Sequence, residues 1–339
     1  MKNKHFFTFF LTLLLFVSCS GKTPVLLNRT EFALGTYCTV KIYGMSEGKA
    51  NSALKEAFAR LSKIESIASA KNPDSELFYV NENAYGNGVV AVSEELFALL
   101  YSGLFYSRLT EGAFDITLGA IVELWGIGTE NARIPSPEEI AVAVENSGYE
   151  HLLLNEAELS VRFLKSGLKV DLGAFAKGYA ADEMQRVLIE HGVENAIIDL
   201  GGDIITIGGN NGAGWRIGLT DPQNTGEVCA VLRVSDKAIV TSGDYERYFM
   251  HEGKRYHHIF DRNTGYPAES GLRSATVAFE HMGIHGAAIH ADALSTAFFV
   301  MGKEKAVEFV STFQQINYIL IDDGLNFTFS EGLDLEIIK

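Results

Sequence analysis

Asp292 and Thr296 stand four residues apart in HADALSTAFFVMG (290–302), so a helix there puts a carboxylate and a hydroxyl on one face. Such a hard-oxygen pair suits Mg²⁺, which takes oxygen ligands and keeps positions open for phosphate oxygens. The plainer reading is an acid favouring the helix dipole and a Thr bonded back to its own turn, and by spacing alone the plainer reading prevails. In HHIFDRNTGYP (257–267) a His precedes an Asp-containing turn. An imidazole at a strand end can accept a proton, although a surface His without a role is commoner. TEGAFDITLG (110–119) flanks a Phe-Asp pair with glycines and reads either as a ligand loop, through backbone amides and Asp115, or as a structural loop. GGNNGAG (208–214) resembles a phosphate loop but runs into the strand-like WRIGL, so it offers no helix N-terminus and reads as a hairpin loop. His281, His285 and His290 have helical spacing, but Gly283 and Gly286 argue against a helix and a zinc site is not expected. Walker A and G-x-S-x-G patterns are absent.

The elements that must position these groups are readable in outline. Glu31–Tyr43 is β-branched and aromatic, a strand bent at Gly35. Gly48–Ser69 carries apolar residues at intervals of three and four, an amphipathic helix. Asn72–Glu76 is a turn ending in a cap. Helices are expected over Ser93–Leu109, capped by Ser93, and from Pro137, with Ser136 and Glu139 at capping-box spacing. Leu168–Leu172 reads as a buried strand and Lys177–His191 as a helix closed by Gly192. Strands follow over Ala196–Ile207, Trp215–Thr220, Val228–Thr241, His257–Phe260 and Arg273–Phe279; then a helix over Asp292–Met301 and strands from Tyr318. This order lacks strict βαβ alternation and predicts an α+β fold.

The chain has 339 residues, 47% hydrophobic and 21% charged, with a formal net charge of −15. That is globular and too apolar for disorder. The acidic balance excludes a general nucleic-acid binder, which needs cations to displace phosphate counterions. Lys2 and Lys4 precede the apolar run Phe6–Val17, which is too short to span a bilayer but right for an export signal. The run ends in Val-Ser-Cys-Ser, a lipoprotein-type cleavage box except that Phe16 stands where Leu is usual. Residues 1–18 are therefore expected to be removed, Cys19 to be lipidated, and 19–29 to form a tether. Residues 30–339 would be the working domain, with a subdomain division near 167. An exported, membrane-anchored protein follows; the alternative is an ordinary secretory signal. Cys38 and Cys229 remain, with pairing left open.

In order, the chain carries LGTYCTV (34–40), PDSEL (73–77), EGAFDITLG and LWGIG (111–128), VDLGAFAKGYAAD (170–182), DLGGDI (199–204) and WRIGLTDP (215–222). TSGDYERYF (241–249), HHIFDRNTGYP and ADALSTA (291–297) follow. Together these resemble the FAD:protein FMN transferases, the ApbE-type flavin transferases. The resemblance implies two subdomains around a flavin/Mg²⁺ site, with a T-fold-like core. It implies binding of FAD and Mg²⁺, cleavage of the pyrophosphate, transfer of FMN to a Thr or Ser of a partner flavoprotein, and release of AMP. By position, Asp292, Thr296 and the Ala174 carbonyl match the family's metal ligands, which reverses the spacing-only reading. Leu34, Ala113, Phe114, Asp115, Asp171, Lys177 and Phe260 match flavin contacts. Lys177 is also expected to help hold the pyrophosphate and to supply the local cationic pocket that an acidic protein needs for anionic FAD. His258 matches the base that takes the hydroxyl proton, with His257 a weaker substitute and Asp292 also essential to turnover. Thr241, Ser242 and Asp244 are assigned supporting roles. The acceptor would be a membrane redox-pump subunit or an exported flavoprotein on the periplasmic side. Two positions depart from the family: Ala70, Lys71 and Asn72 stand where an aromatic is common, and Arg262 replaces the Pro of D-P-x-T-G, with an expected effect only on turn stiffness. The first departure keeps open a FAD pyrophosphatase yielding FMN and AMP. A non-catalytic flavin-binding lipoprotein is a further alternative.

Overall fold

The computed structural model describes residues 26–86, 88–210, 213–280, 286–313 and 316–338. The expected signal, Cys19, His281 and His285 lie outside them. Among the described residues no helix is long and apolar enough to cross a membrane.

The chain runs β1 (Leu26–Ala33), β2 (Thr36–Tyr43), α1 (Glu47–Ala68), α2 (Glu76–Asn83), β3 (Val90–Ala91), α3 (Glu94–Leu109), α4 (Gly119–Trp125) and α5 (Pro137–Asn146). It continues through β4 (Leu152–Asn155), β5 (Ser160–Phe163), α6 (Ala176–Glu190), β6 (Ala196–Leu200), β7 (Asp203–Ile207), β8 (Trp215–Thr220) and β9 (Val228–Val234). Then come β10 (Lys237–Gly243), β11 (Tyr248–His251), β12 (Lys254–His257), β13 (Leu272–Glu280), α7 (Ala287–Thr312), β14 (Ile316–Asp322), β15 (Phe327–Phe329) and β16 (Leu335–Ile337). The fold is α+β. Among the described residues an antiparallel sheet in the order β1-β2-β6-β7-β10-β13-β14-β15 forms the backbone of the molecule. Helices α1, α6 and α7 pack with its inward residues, Cys38, Val40, Ile42, Ile198, Val240 and Val277 among them, in one core that draws residues from both sides of position 167. The opposite face is covered by the small sheet β16-β9-β8 through Trp215, Ile217, Leu219 and Leu232. A third cluster joins α4 and α5 to Phe260 around Trp125.

The caps form as the sequence implies: Ser93 Oγ accepts from Leu96 N–H at 3.2 Å, and Ser136 and Glu139 close a capping box. Other elements differ. Glu31–Tyr43 is not one bent strand but part of a hairpin, because Leu34 and Gly35 take left-handed φ values of 51° and 72° and reverse the chain. β1 starts at Leu26, so four residues read as tether belong to the sheet. Leu168–Leu172 forms no strand. Its Val170 N–H goes to Asn81 Oδ1 at 2.8 Å and its Asp171 N–H to the Ile116 carbonyl at 2.8 Å, leaving only a bridge at Lys169. Burial produced the apolar pattern there without a ladder. Val228–Thr241 is two strands turned at Asp236, which has φ 52°, and the strand before the Asp-containing turn ends at His257. α7 starts five residues earlier than expected, because Asp182 on α6 accepts from the N–H groups of Ala288 and Ile289 at 3.0 and 2.9 Å. It breaks at Gly302, which has φ 77°. Cys38 and Cys229 form no disulfide: each thiol donates to backbone carbonyls in a separate core.

Candidate active site

One cavity of about 270 Å³ collects the residues singled out above: Leu34, Ala113, Phe114, Asp115, Asp171, Ala174, Lys177, His258, Phe260, Asp292 and Thr296 all line it. They come from the β1–β2 turn, the loop before α4, the start of α6, the segment after β12 and the first turns of α7.

The floor is helical and acidic. Asp292 is buried, and its Oδ2 accepts the Gly178 N–H at 2.9 Å. Gly178 is the third residue of α6, so its N–H has no acceptor inside the helix, and the Asp292 carboxylate supplies one. The arrangement needs Gly178, since a Cβ there would stand 2.4 Å from the Ala288 carbonyl oxygen, where α6 and α7 meet. Thr296 Oγ1 lies 3.1 Å from Ser242 Oγ, which is 2.9 Å from Ser295 Oγ. Lys177 Nζ pairs with Asp203 and lies 3.9 Å from Asp292 Oδ1. Burial raises both Asp203 and Asp292 above the usual carboxylate range; the nearby Asp203 charge adds to the rise at Asp292, while Lys177 pulls both back. Burial opposes the Lys177 charge, but Asp203 and Asp292 outweigh it and keep the ammonium protonated. Glu246, also on the cavity wall, is pushed up to about 7 by burial, with Lys177 pulling the other way.

Three acids therefore gather around Lys177, whose charge is already paired, with Arg247 and Lys71 the other cations on the cavity wall. That acidic cluster suits a divalent cation. Among the described residues no group of three or more His, Cys, Asp or Glu could hold a metal. A hard cation does not require one: Asp292 and Thr296 line the cavity together with Ala174, whose backbone carbonyl would complete an all-oxygen donor set of the kind Mg²⁺ takes.

The two histidines separate cleanly. His257 uses both ring nitrogens on backbone: Nε2 lies 3.1 Å from the Ala268 carbonyl and Nδ1 accepts from Ile259 N–H at 3.3 Å. It is structural and does not line the cavity. His258 lines it, and its Nδ1 faces the Arg247 carbonyl at 3.3 Å. A carbonyl only accepts, so Nδ1 carries the proton and Nε2 is left able to take one. Burial, with the Arg247 charge next, lowers His258 to about 3, so the imidazole is neutral.

The residues expected to contact flavin are held by loops. Asp115 does not offer a free carboxylate to a ligand. Its Oδ1 accepts from Thr117 N–H and Oγ1 at 2.8 and 2.6 Å, and its Oδ2 from Tyr149 N–H at 3.1 Å. It shapes the loop that carries Ala113 and Phe114. Phe260 lines the cavity but packs on Trp125, ring centroids 6.0 Å apart. Asp171 Oδ1 accepts from Gly173 N–H at 2.7 Å and so fixes the turn that carries Ala174. Leu34 N–H donates to Glu65 Oε1 at 2.8 Å, which pins the β1–β2 turn over the cavity. Asp244 is bound to Arg255 and Arg273 and supports the segment from outside. Sequence reasoning missed Glu65, Asp203 and Glu246. Asp203 and Glu246 lie inside quoted segments, but their contacts are with residues remote in the chain and left no local signal.

The ApbE family model matches residues 34–320. A Treponema pallidum protein described as FAD:protein FMN transferase is 36% identical over 321 residues, covering 90% of this chain and 87% of that protein. An Escherichia coli K12 protein of the same description is 32% identical over 332 residues, covering 93% and 91%. The solved Thermotoga maritima ApbE protein superposes with a TM-score of 0.81 at 35% identity, covering 91% of this chain and 97% of that one. The Vibrio cholerae flavin transferase ApbE gives 0.79 at 28% identity, with the same coverage.

Proposed function

The chain belongs to the ApbE family, and from that premise we propose that it is a Mg²⁺-dependent FAD:protein FMN transferase. It cleaves the FAD pyrophosphate, attaches FMN through a phosphoester to a Thr or Ser of an acceptor flavoprotein, and releases AMP. Relatives described as FAD:protein FMN transferases along nearly their whole length support the activity. The observation that carries the reading to these residues is the acidic floor beside a neutral imidazole, in one cavity with Phe114 and Phe260.

Asp292, Thr296 and the Ala174 carbonyl would hold the cation, which when bound neutralises charge on the diphosphate and on the leaving phosphate. Ser242 orients the Thr296 hydroxyl. Lys177 balances Asp203 and Asp292, so the floor tolerates its own charge before substrate arrives. Ala113, Phe114, Leu34 and Phe260 bound the flavin end. His258, protonated at Nδ1, takes the acceptor hydroxyl proton on Nε2 as oxygen attacks the FMN phosphorus and the bond to the AMP oxygen breaks. Export, lipidation at Cys19 and an acceptor on the periplasmic side complete the proposal; they rest on the Lys2-to-Ser20 pattern.

A second reading has its own observation. Ala70 and Lys71 line the cavity where an aromatic would stack on the ligand, so water has easier access to the phosphate. Incubating purified protein with FAD, Mg²⁺ and a candidate acceptor distinguishes the cases. Covalent flavin fluorescence on the acceptor in a denaturing gel supports transfer. Free FMN and AMP without labelling supports hydrolysis, and tight binding without turnover contradicts both.

A further inference from the structure

Two neighbouring parts of the cavity wall, the loop carrying Ala113 and Phe114 and the segment carrying His258 and Phe260, are joined by one side chain. Arg262 Nη1 lies 3.3 Å from Asp115 Oδ2, and Nη2 donates to Glu150 Oε1 and Oε2 at 2.8 and 3.1 Å. The guanidinium also covers the Tyr149 ring, 5.0 Å from its centroid. The approach depends on Gly112, where a Cβ would meet Arg262 Cδ at 2.4 Å. The expectation that Arg262 affects only turn stiffness is thus incomplete. The Asp115 side chain is 0% exposed and its Oδ1 is filled by Thr117, so Arg262 is the cation that faces a buried carboxylate.

We propose that Arg262 is a positioning residue for FAD: by neutralising Asp115 it sets the distance between the wall bearing Ala113 and Phe114 and the wall bearing His258 and Phe260. Without Arg262, Asp115 Oδ2 keeps only the Tyr149 N–H, and the uncompensated buried charge favours a proton or a rearranged donor there, either of which turns the side chain at the base of the loop. Such a shift displaces the flavin wall and leaves the floor alone. The fork matters, because one guanidinium reaches Asp115 and Glu150 at once while covering Tyr149; an ammonium at this site is a point charge. The Glu150 arm is half exposed and contributes little.

This inference rests on the flavin reading above, and the experiment separates the two. FAD affinity by flavin fluorescence, kcat and KM for FAD, and melting temperature are measured for the full chain and for Arg262→Gln, Arg262→Lys and Glu150→Gln. Arg262→Gln should raise both Kd and KM about tenfold, the scale of lost outer-shell support, with kcat nearly unchanged. Arg262→Lys should recover part of that loss, and Glu150→Gln should shift Kd by less than about twofold. An Arg262→Gln protein that melts lower yet binds FAD like wild type overturns the proposal. If that variant does not fold, Arg262→Lys decides: a raised KM at unchanged kcat supports it, and wild-type values overturn it. Failure of the wild-type chain to bind FAD would instead overturn the flavin reading.

Discussion

The floor and the rim of the cavity are built by different means. The floor takes Lys177, Asp292 and Thr296 from α6 and α7, locked by Gly178, Asp182 and the Ser242 hydroxyl, adds Asp203 from β7 and Glu246 after β10, and so concentrates buried charge. The rim takes its groups from loops held by side chains, Glu65 on Leu34, and the adjacent Thr117 and the distant Arg262 on Asp115. On the proposed function the floor serves phosphate chemistry, where a small displacement of charge is expensive. On the same proposal the rim holds a flat ring, where contacts are many and individually weak. Substitutions in the floor should therefore act on turnover, and those in the rim on affinity or on product choice.

The largest break expected is at Asp292. Asp292→Ala should lower Mg²⁺-dependent turnover by more than about 10³-fold, the scale of several kcal/mol of lost charge stabilisation. Near-wild-type activity in a steady-state assay would remove it from the metal site. His258→Ala should leave FAD binding intact while slowing transfer by roughly 10²–10⁴-fold, as for a lost general base. Loss of binding instead would make the residue structural. Its pH behaviour is a separate check. With His258 lowered to about 3, kcat/KM should show no limb near 6.5 from this group. The unfolded chain takes up protons on His257 and His258 below about 6.5 while the fold resists, so stability should fall as pH drops from there toward about 4. Ser242→Ala tests the support of the floor and should weaken apparent Mg²⁺ affinity by roughly 10–100-fold at saturating FAD, with little effect on FAD binding. The smallest effect belongs to the rim. Lys71→Tyr adds a ring worth about 0.5–1.5 kcal/mol of stacking and should shift product from free FMN toward labelled acceptor by up to about tenfold. An unchanged ratio would dismiss the stacking argument.

The same division governs what could be read in the sequence. Helical spacing is local and puts Asp292 and Thr296 on one face, although only the family resemblance marked them as ligands, and the Ser93 and Ser136 caps are visible because capping chemistry is completed within three residues. Leu168–Leu172 misled because an extended buried segment and a strand share a composition, and only the partners of its backbone, Asn81 and Ile116, tell them apart. The role of Arg262 was illegible for a similar reason: its partners Asp115 and Glu150 lie more than a hundred residues away, and position 112 must be glycine for the arm to fit. Lys177 was legible as a cation at the site but not as an already paired one, since Asp203 meets it only through the packing of β7 against α6.

The central claim is that a divalent cation is gripped by Asp292, Thr296 and the Ala174 carbonyl, against the diphosphate and beside His258. A crystal soaked with FAD and Mn²⁺, a stand-in visible by anomalous scattering, tests it directly. The account predicts one strong peak within roughly 2.1 Å of those three oxygens, with the diphosphate on its open side. A peak elsewhere, or FAD bound with this floor metal-free and Lys177 still paired to Asp203, would contradict it.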